Sequence, residues 1–487
     1  MFETVSLRLD DDAPSSPVPK RIVLSLLTAF LCLSGCAHYP VNARLDHYDP
    51  TRGYYFHTQP RPDNSDEMLF ILAFSGGGTR AAAVSYGVLE ELRSTTFQSE
   101  GSPRRLLDEV DAISSVSGGS FTAAAYALYG DQMFSTFESS FLKRNVQGTL
   151  VRRTLNPFHW LKLWSGTYGR SDLAAEYYDE ILFHGATFAD LHQHPGPYIV
   201  LNATDVSTGA RFDFTQYQFD LICSDVGSYP VSRAVAASSA VPALLTPITV
   251  NNYSGSCGYE PPAWIFAGTN LPSRVQFRAR ELQGFLDGKE RPYVHLVDGG
   301  VSDNLGIRAV LDGIMNIERN PELSSYYNFG KLKRVVLISV NALSSPEKDW
   351  DRKESPPGMI QLALAGATIT MDRYSYETIE HFRDQVEHWR DRVNAHTSGT
   401  DPDANASPPA RQRIEFYPIL INFSDVPDPV ERQYFLGLPT TFVLPDRDVD
   451  NLRKVGGRLL RGSPTYQQLL RDLDVPNGRA SSTSVQP

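Results

Sequence analysis

Ser117 and Asp298 are the two side chains of this sequence whose surroundings best suit attack on a carbonyl carbon. Ser117 lies in the run Val110-Asp111-Ala112-Ile113-Ser114-Ser115-Val116-Ser117-Gly118-Gly119-Ser120, and the segment Phe121 to Tyr129 that follows holds four alanines. A strand, a serine among small residues, then a helix of small residues is the layout of a nucleophile elbow, a strained turn that tolerates no bulky neighbour. A hydroxyl there stands at a helix N-terminus, where partial positive charge favours a developing alkoxide. The plainer reading is a Ser/Gly-rich turn, and Ser115 occupies the place of the first glycine of G-x-S-x-G.

Asp298 ends Tyr293-Val294-His295-Leu296-Val297-Asp298 and precedes Gly299 and Gly300, with Asn304 and Gly306 beyond. Such an aspartate is often only a turn former or helix cap. At the carboxyl edge of a sheet it would sit where open α/β folds place ligands. A third segment, Ser75-Gly76-Gly77-Gly78-Thr79-Arg80, joins the apolar run Met68 to Phe74 to the helix-forming Ala81-Ala82-Ala83-Val84. Three glycines there let backbone N–H groups converge on an anion, either a bound phosphate or a transient oxyanion. It is not a P-loop, which needs Lys then Ser/Thr after the last glycine.

The elements around these residues read as an α/β fold. Met68 to Phe74, Val110 to Ser115, Tyr198 to Asn202, Val294 to Val297, Val335 to Val340 and Ile414 to Phe423 are short apolar runs between helix-like segments. Runs of this kind fit strands of a mostly parallel sheet covered by helices on both faces. A catalytic domain is expected over residues 67–475, interrupted near 251–290, a Gly/Pro/Asn-rich stretch read as a lid or substrate-side insertion, and near 396–412, read as a mobile loop. Residues 36–66 read as a tether and 476–487 as a disordered tail. Hydrophobic residues make up 41% and charged residues 21% of the 487, near the average for globular proteins, so neither disorder nor a multi-span membrane protein is suggested. A net charge of −11 argues against general nucleic-acid binding.

Together the three chemical segments, in this order, resemble the patatin-like phospholipase family. That family has a glycine-rich oxyanion loop ending in a basic residue, a G-x-S-x-G nucleophile and a D-G-G/A aspartate. Gly76 to Arg80, Ser115 to Gly119 and Asp298 to Gly300 match these, and Ala236 to Pro242 is similar to a structural block of the family. Ser75, Ala81 and Ser115 depart from the pattern, each by exchange of one small residue for another. The resemblance implies a lipid acyl hydrolase of phospholipase A or lysophospholipase type, working through a Ser117–Asp298 dyad and an acyl-enzyme. Gly76, Gly77 and Gly78 would form the oxyanion hole, and Arg80 would fix the loop, contact a substrate phosphate or pair with a carboxylate on its own helix. No cofactor and no metal are expected.

Two other readings remain. A Ser-His-Asp esterase would use His381 or His388, both in a charged helix-like stretch; His295, three residues before Asp298 on one strand, should face the other way. A non-catalytic lipid-binding or assembly lipoprotein would need none of these groups.

At the N-terminus Lys20 and Arg21 precede the apolar run Ile22 to Leu33, the length of a signal-peptide core, which leads into Leu33-Ser34-Gly35-Cys36. This resembles a bacterial lipoprotein box, with residues 1–35 as a cleaved signal peptide and Cys36 lipidated, and the absence of Asp after Cys36 points to the outer membrane. Expected partners are therefore a membrane surface and a membrane lipid substrate. Cys223 and Cys257 are left, either as a disulfide or as two buried thiols. Residues 141–170 carry Lys143, Arg144, Arg152, Arg153, Lys162 and Arg170 with no Asp or Glu, among Phe141, Leu150, Phe158, Trp160, Leu163 and Trp164. They read either as a membrane-facing approach to the site or as surface helices with both tryptophans in the core.

Overall fold

The computed structural model describes residues 38–475 apart from 62–63, 100–101, 321–330, 346–349, 392–413 and scattered positions between 360 and 388. The leader, Cys36, His388, residues 396–412 and the tail 476–487 lie outside the described residues.

Ten strands are present among the described residues: β1 (Met68–Phe74), β2 (Thr96–Ser99), β3 (Ser102–Arg105), β4 (Val110–Val116), β5 (Tyr198–Asp205), β6 (Arg211–Phe214), β7 (Ile248–Asn251), β8 (Tyr293–Asp298), β9 (Arg334–Asn341) and β10 (Glu415–Asn422). Strands β2 and β3 form a separate hairpin, and the others make one mixed sheet in the order β10-β9-β1-β4-β5-β8-β7 with β6 beside β5. The run from β10 to β5 is parallel, and β6, β7 and β8 are antiparallel additions. The chain leaves β1 towards β4 and β5, then returns to place β9 and β10 on the other side of β1. That reversal makes the carboxyl end of β1 a topological switch point, the usual ligand crevice of such sheets.

The helices that matter for the site are α1 (Gly78–Ser94), α2 (Gly118–Tyr129), α3 (Val146–Leu155), α4 (Pro157–Leu163), α5 (Arg170–Tyr178), α6 (Val231–Ser238), α7 (Ser273–Gln283), α8 (Ile307–Arg319) and α9 (Asp446–Gly462). Helices α1, α2 and α6 pack in sequence, with α9 on α1, while α8 meets β4. Near-continuous burial of β1, β4 and β9 follows from cover on both faces and explains their apolar composition.

One expectation is corrected. Residues 38–61 are not a free tether: Tyr54 and Tyr55 are buried, Tyr54 accepts the Ile199 N–H at 2.8 Å, and Tyr55 donates to Asp220 at 2.8 Å. Their aromatic side chains gain more from the domain surface than a solvated tether would allow. Leu45 and Tyr48 donate to the carbonyls of Cys223 and Cys257, and those two cysteines form a disulfide with Cα atoms 5.5 Å apart. The segment 251–290 folds into turns and α7. It walls a cavity of about 500 Å³ with Trp264, Arg278 and Leu282.

Candidate active site

Register explains how an antiparallel strand delivers the aspartate. Val116 pairs with Asn202, and Ala203, the next residue on β5, pairs with Asp298 on β8. The residue after Val116 is Ser117, so serine and carboxylate lie level across β5. The Ser117 hydroxyl donates to Asp298 Oδ2 at 2.9 Å, and both residues are almost wholly buried.

Ser117 is the N-cap of α2 and holds φ 49° and ψ −119°, a conformation a non-glycine residue keeps only when its surroundings impose it. Those surroundings are specific. Its N–H donates to Ser238 Oγ at 2.9 Å, and Ser238 also hydrogen-bonds Ser120. A Cβ on Gly118 would lie 2.0 Å from the Gly78 carbonyl oxygen, so glycine alone lets the two loops close on each other. Ser115, the departure in the elbow, fits: its hydroxymethyl is fully buried with Oγ 3.4 Å from the Val200 carbonyl.

Asp298 is positioned from both sides. Its N–H donates to the Ala240 carbonyl at 2.9 Å, and its Oδ1 accepts the Gly300 N–H at 2.8 Å. Burial pushes its carboxyl up to about 6, against the opposing pull of the Gly300 N–H and the Ser117 hydroxyl.

The glycine loop lies against the serine: a Cβ on Gly76 would be 3.3 Å from that of Ser117. Its three amides are not equivalent. The Gly76 N–H is committed to the Asn304 carbonyl at 2.9 Å, which removes it as an oxyanion donor. The N–H groups of Gly77, Gly78 and Gly118 make no hydrogen bond among the described residues. Gly77 at φ 140° and Gly78 at φ 58° adopt conformations that turn successive amides off the strand line.

Arg80 has the loop-fixing role that was one of its expected uses. It is buried, and its guanidinium donates to the Ala342 carbonyl at 2.8 Å, the Leu438 carbonyl at 2.7 Å and Thr440 Oγ1 at 3.1 Å. Through these bonds it ties the glycine loop to the segments after β9 and β10. A basic residue beside three glycines looks alike in sequence whether it faces ligand or backbone.

No histidine among the described residues hydrogen-bonds to Ser117 or Asp298. His295 is exposed and bonded to Thr249. His381 is held neutral by burial and by Arg274 and Arg308, down to about 4. Residues that sequence reasoning missed here are Ser238, which serves both Ser117 and Ser120, and Met371. Asn304 Oδ1 and Met371 Sδ lie 2.9 and 3.2 Å from where a Gly300 Cβ would be. Ser238 lay within a recognised block without a role, and no pattern pointed to Met371. The 500 Å³ cavity is elsewhere: Leu69, Ala112, Val200 and Val310 line it, and the dyad does not.

Residues 72–311 match the model of a family described as patatin-like phospholipase, a span that takes in the glycine loop, Ser117 and Asp298. No curated protein matches the chain. Among solved structures, the chain is similar to human GIVD cytosolic phospholipase A2, with 14% identity over 86% of this chain and 64% of that one and a TM-score of 0.40. The same human enzyme in complex with methyl gamma-linolenyl fluorophosphonate matches at 13% identity over 84% and 59%, with a TM-score of 0.37. The chain thus spans less than two thirds of the human enzyme's length.

Proposed function

We infer, from the patatin-like phospholipase domain that this chain carries over residues 72–311, a lipid acyl hydrolase that cleaves carboxylic esters through Ser117 and Asp298. The observation that carries this reading is the direct hydrogen bond from Ser117 Oγ to a buried carboxylate, with the glycine loop against the serine.

In this reaction Asp298 accepts the proton of Ser117 as Oγ bonds to the ester carbonyl carbon. The carbonyl electron pair moves onto oxygen, and the N–H groups of Gly77 and Gly78, with that of Gly118, stabilise the oxyanion. Collapse of the tetrahedral intermediate breaks the ester C–O bond, and Asp298 returns its proton to the leaving alcohol. A water molecule then attacks the acyl-enzyme, gives a proton to Asp298 and releases the fatty acid, after which Ser117 regains the proton. A carboxyl pushed up to about 6 by burial suits this exchange, because it is a stronger base than an exposed aspartate yet ionised at neutral pH.

The disulfide favours an oxidising compartment, which agrees with an exported, lipid-anchored protein that meets its substrate at a membrane. A fluorophosphonate should label Ser117, and Ser117→Ala should abolish both labelling and hydrolysis of a short-chain chromogenic ester. Labelling at another serine would overturn the assignment.

A further inference from the structure

The helical hairpin α3–α4 inverts the usual distribution of side chains. Val151, Leu155, Phe158, Trp160, Leu161 and Trp164 are all exposed, Phe158 at 86% and Trp164 at 65%. Both tryptophans were candidates for the core, and neither is in it. Large exposed apolar side chains grouped on one short hairpin mark a surface that something covers.

Three observations say what covers it. First, the hairpin and the start of α5 that follows it are tied to both walls of the site. The N–H of Gln147 donates to the Phe442 carbonyl and Thr441 donates to Gln147 Oε1, while the Thr441 carbonyl accepts the Thr79 N–H beside the glycine loop. On the other side Arg170 donates to the Ala243 carbonyl, in the segment whose Ala240 carbonyl accepts the Asp298 N–H. Second, the first described residues of the chain lie here. Tyr39 donates to the Thr167 carbonyl at 2.9 Å, and His38 Nδ1 lies 2.8 Å from Thr167 Oγ1. Cys36 precedes His38 by two residues, so an acyl group on it begins within about 7 Å of that point. Third, half of the six cations expected to carry the patch, both lysines among them, are paired with carboxylates within the protein. Lys143 pairs with Glu138 and Asp450, Arg153 with Glu180 and Lys162 with Glu176, whereas Arg152 bonds only along its own helix.

We propose that α3–α4 is a docking platform for a phospholipid bilayer, inserted beside the lipid anchor so that the mouth of the Ser117–Asp298 site faces the same membrane. The proposal rests on the lipid hydrolase and lipidated Cys36 reading. An anchor alone leaves the domain free to rotate; the apolar hairpin beside its attachment point fixes which face meets the lipid. Because Phe158, Trp160 and Trp164 supply most of the contact and the lysines are neutralised, attachment is hydrophobic and only weakly dependent on salt.

The test uses the full chain on vesicles of phosphatidylethanolamine and phosphatidylglycerol, part of whose acyl chains carry bromine, a quencher of tryptophan fluorescence. Wild-type fluorescence is quenched, and Trp160→Phe with Trp164→Phe loses at least about half of that quenching while staying on the vesicles, the contact being made by those two rings. Unchanged quenching in the double variant, or none in the wild type, overturns the platform. A second copy of the chain as the occupant would overturn it too, appearing as a dimer in detergent-free buffer without vesicle binding. In a second arm, Phe158→Glu with Trp164→Glu slows vesicle lipid hydrolysis at least about tenfold and leaves a soluble short-chain ester within about twofold. Equal slowing of both would also sink the idea. Should the wild type hydrolyse neither substrate, the hydrolase reading fails alone, and the quenching arm still decides the platform.

Discussion

The dyad end of the sheet and the α3–α4 hairpin break the inside-outside rule in opposite senses. Around Ser117 the chain buries polar groups, Ser120, Asn202, Ser238 and Asp298 among them, each with a hydrogen-bond partner. On the hairpin it exposes apolar groups to water. The two departures cost stability differently. A buried carboxylate is destabilised by its surroundings in any solvent, whereas an exposed Trp or Phe is unfavourable only until something apolar covers it. The first cost is intrinsic to the chemistry; the second belongs to the unbound state.

The largest expected effect breaks the first region. Ser117→Ala and Asp298→Asn should each lower kcat for a short ester by about a thousandfold or more, because paired catalytic groups act as a unit. The two should differ in stability. The folded pKa of Asp298, about 6, lies above that of an exposed aspartate, so its ionised form is penalised above about pH 6 and the penalty fades as pH falls towards 4. At about 1.4 kcal/mol per unit that penalty is on the order of 2–3 kcal/mol. Asp298→Asn keeps the Gly300 contact without the charge and should unfold at a higher temperature than wild type at pH 8. A lower melting temperature than wild type would show that the carboxylate is not under strain.

The same group sets the pH profile. As the base, Asp298 must be ionised, so kcat/KM should fall about tenfold per pH unit below about 6 and be flat from 7 to 8. His381→Ala should leave that limb in place; movement of the limb would reopen the triad. A middle-sized effect concerns Arg80. Arg80→Lys cannot span the carbonyls of Ala342 and Leu438, and the loosened loop should cost about ten- to a hundredfold in kcat. The loss should be equal for a phospholipid and a phosphate-free ester. A loss confined to the phospholipid would instead assign Arg80 a contact with the substrate phosphate.

The parts legible in sequence were those where one residue type at one spacing has a single physical use. The apolar runs of β1, β4 and β9 were located to within a residue, since strands covered on both faces admit little else. Ser117, Asp298 and the glycine loop were brought together because each sits at a strand end. What stayed hidden depends on partners distant in sequence. The four-residue strands β6 and β7 carry too few residues to show a period. The burial of Tyr54 and Tyr55 depends on contacts with Ile199 and Asp220. The commitment of the Gly76 amide is a backbone event with no residue signature. Trp160 and Trp164 read alike as core or as membrane contacts because both environments reward the same side chain.

The smallest expected effect tests the second region from the stability side. Leu155 and Leu161 are exposed on the hairpin, so folding removes little of their apolar surface from water. Leu155→Ser and Leu161→Ser should therefore change the unfolding free energy by no more than about 0.5 kcal/mol each. Phe141, just upstream, is wholly buried with its ring stacked 4.2 Å from that of Phe121. Phe141→Ala should cost about 3–5 kcal/mol, the transfer free energy of the ring plus the cavity it leaves. The contrast should hold in buffer and shrink on vesicles, where each leucine removed from the hairpin gives up contact with lipid. Chemical denaturation of the three variants without membranes measures the first half of this, and vesicle co-sedimentation the second. Destabilisation of more than about 2 kcal/mol by either leucine variant in buffer would place that residue in a packed core and would remove it from the membrane-facing surface.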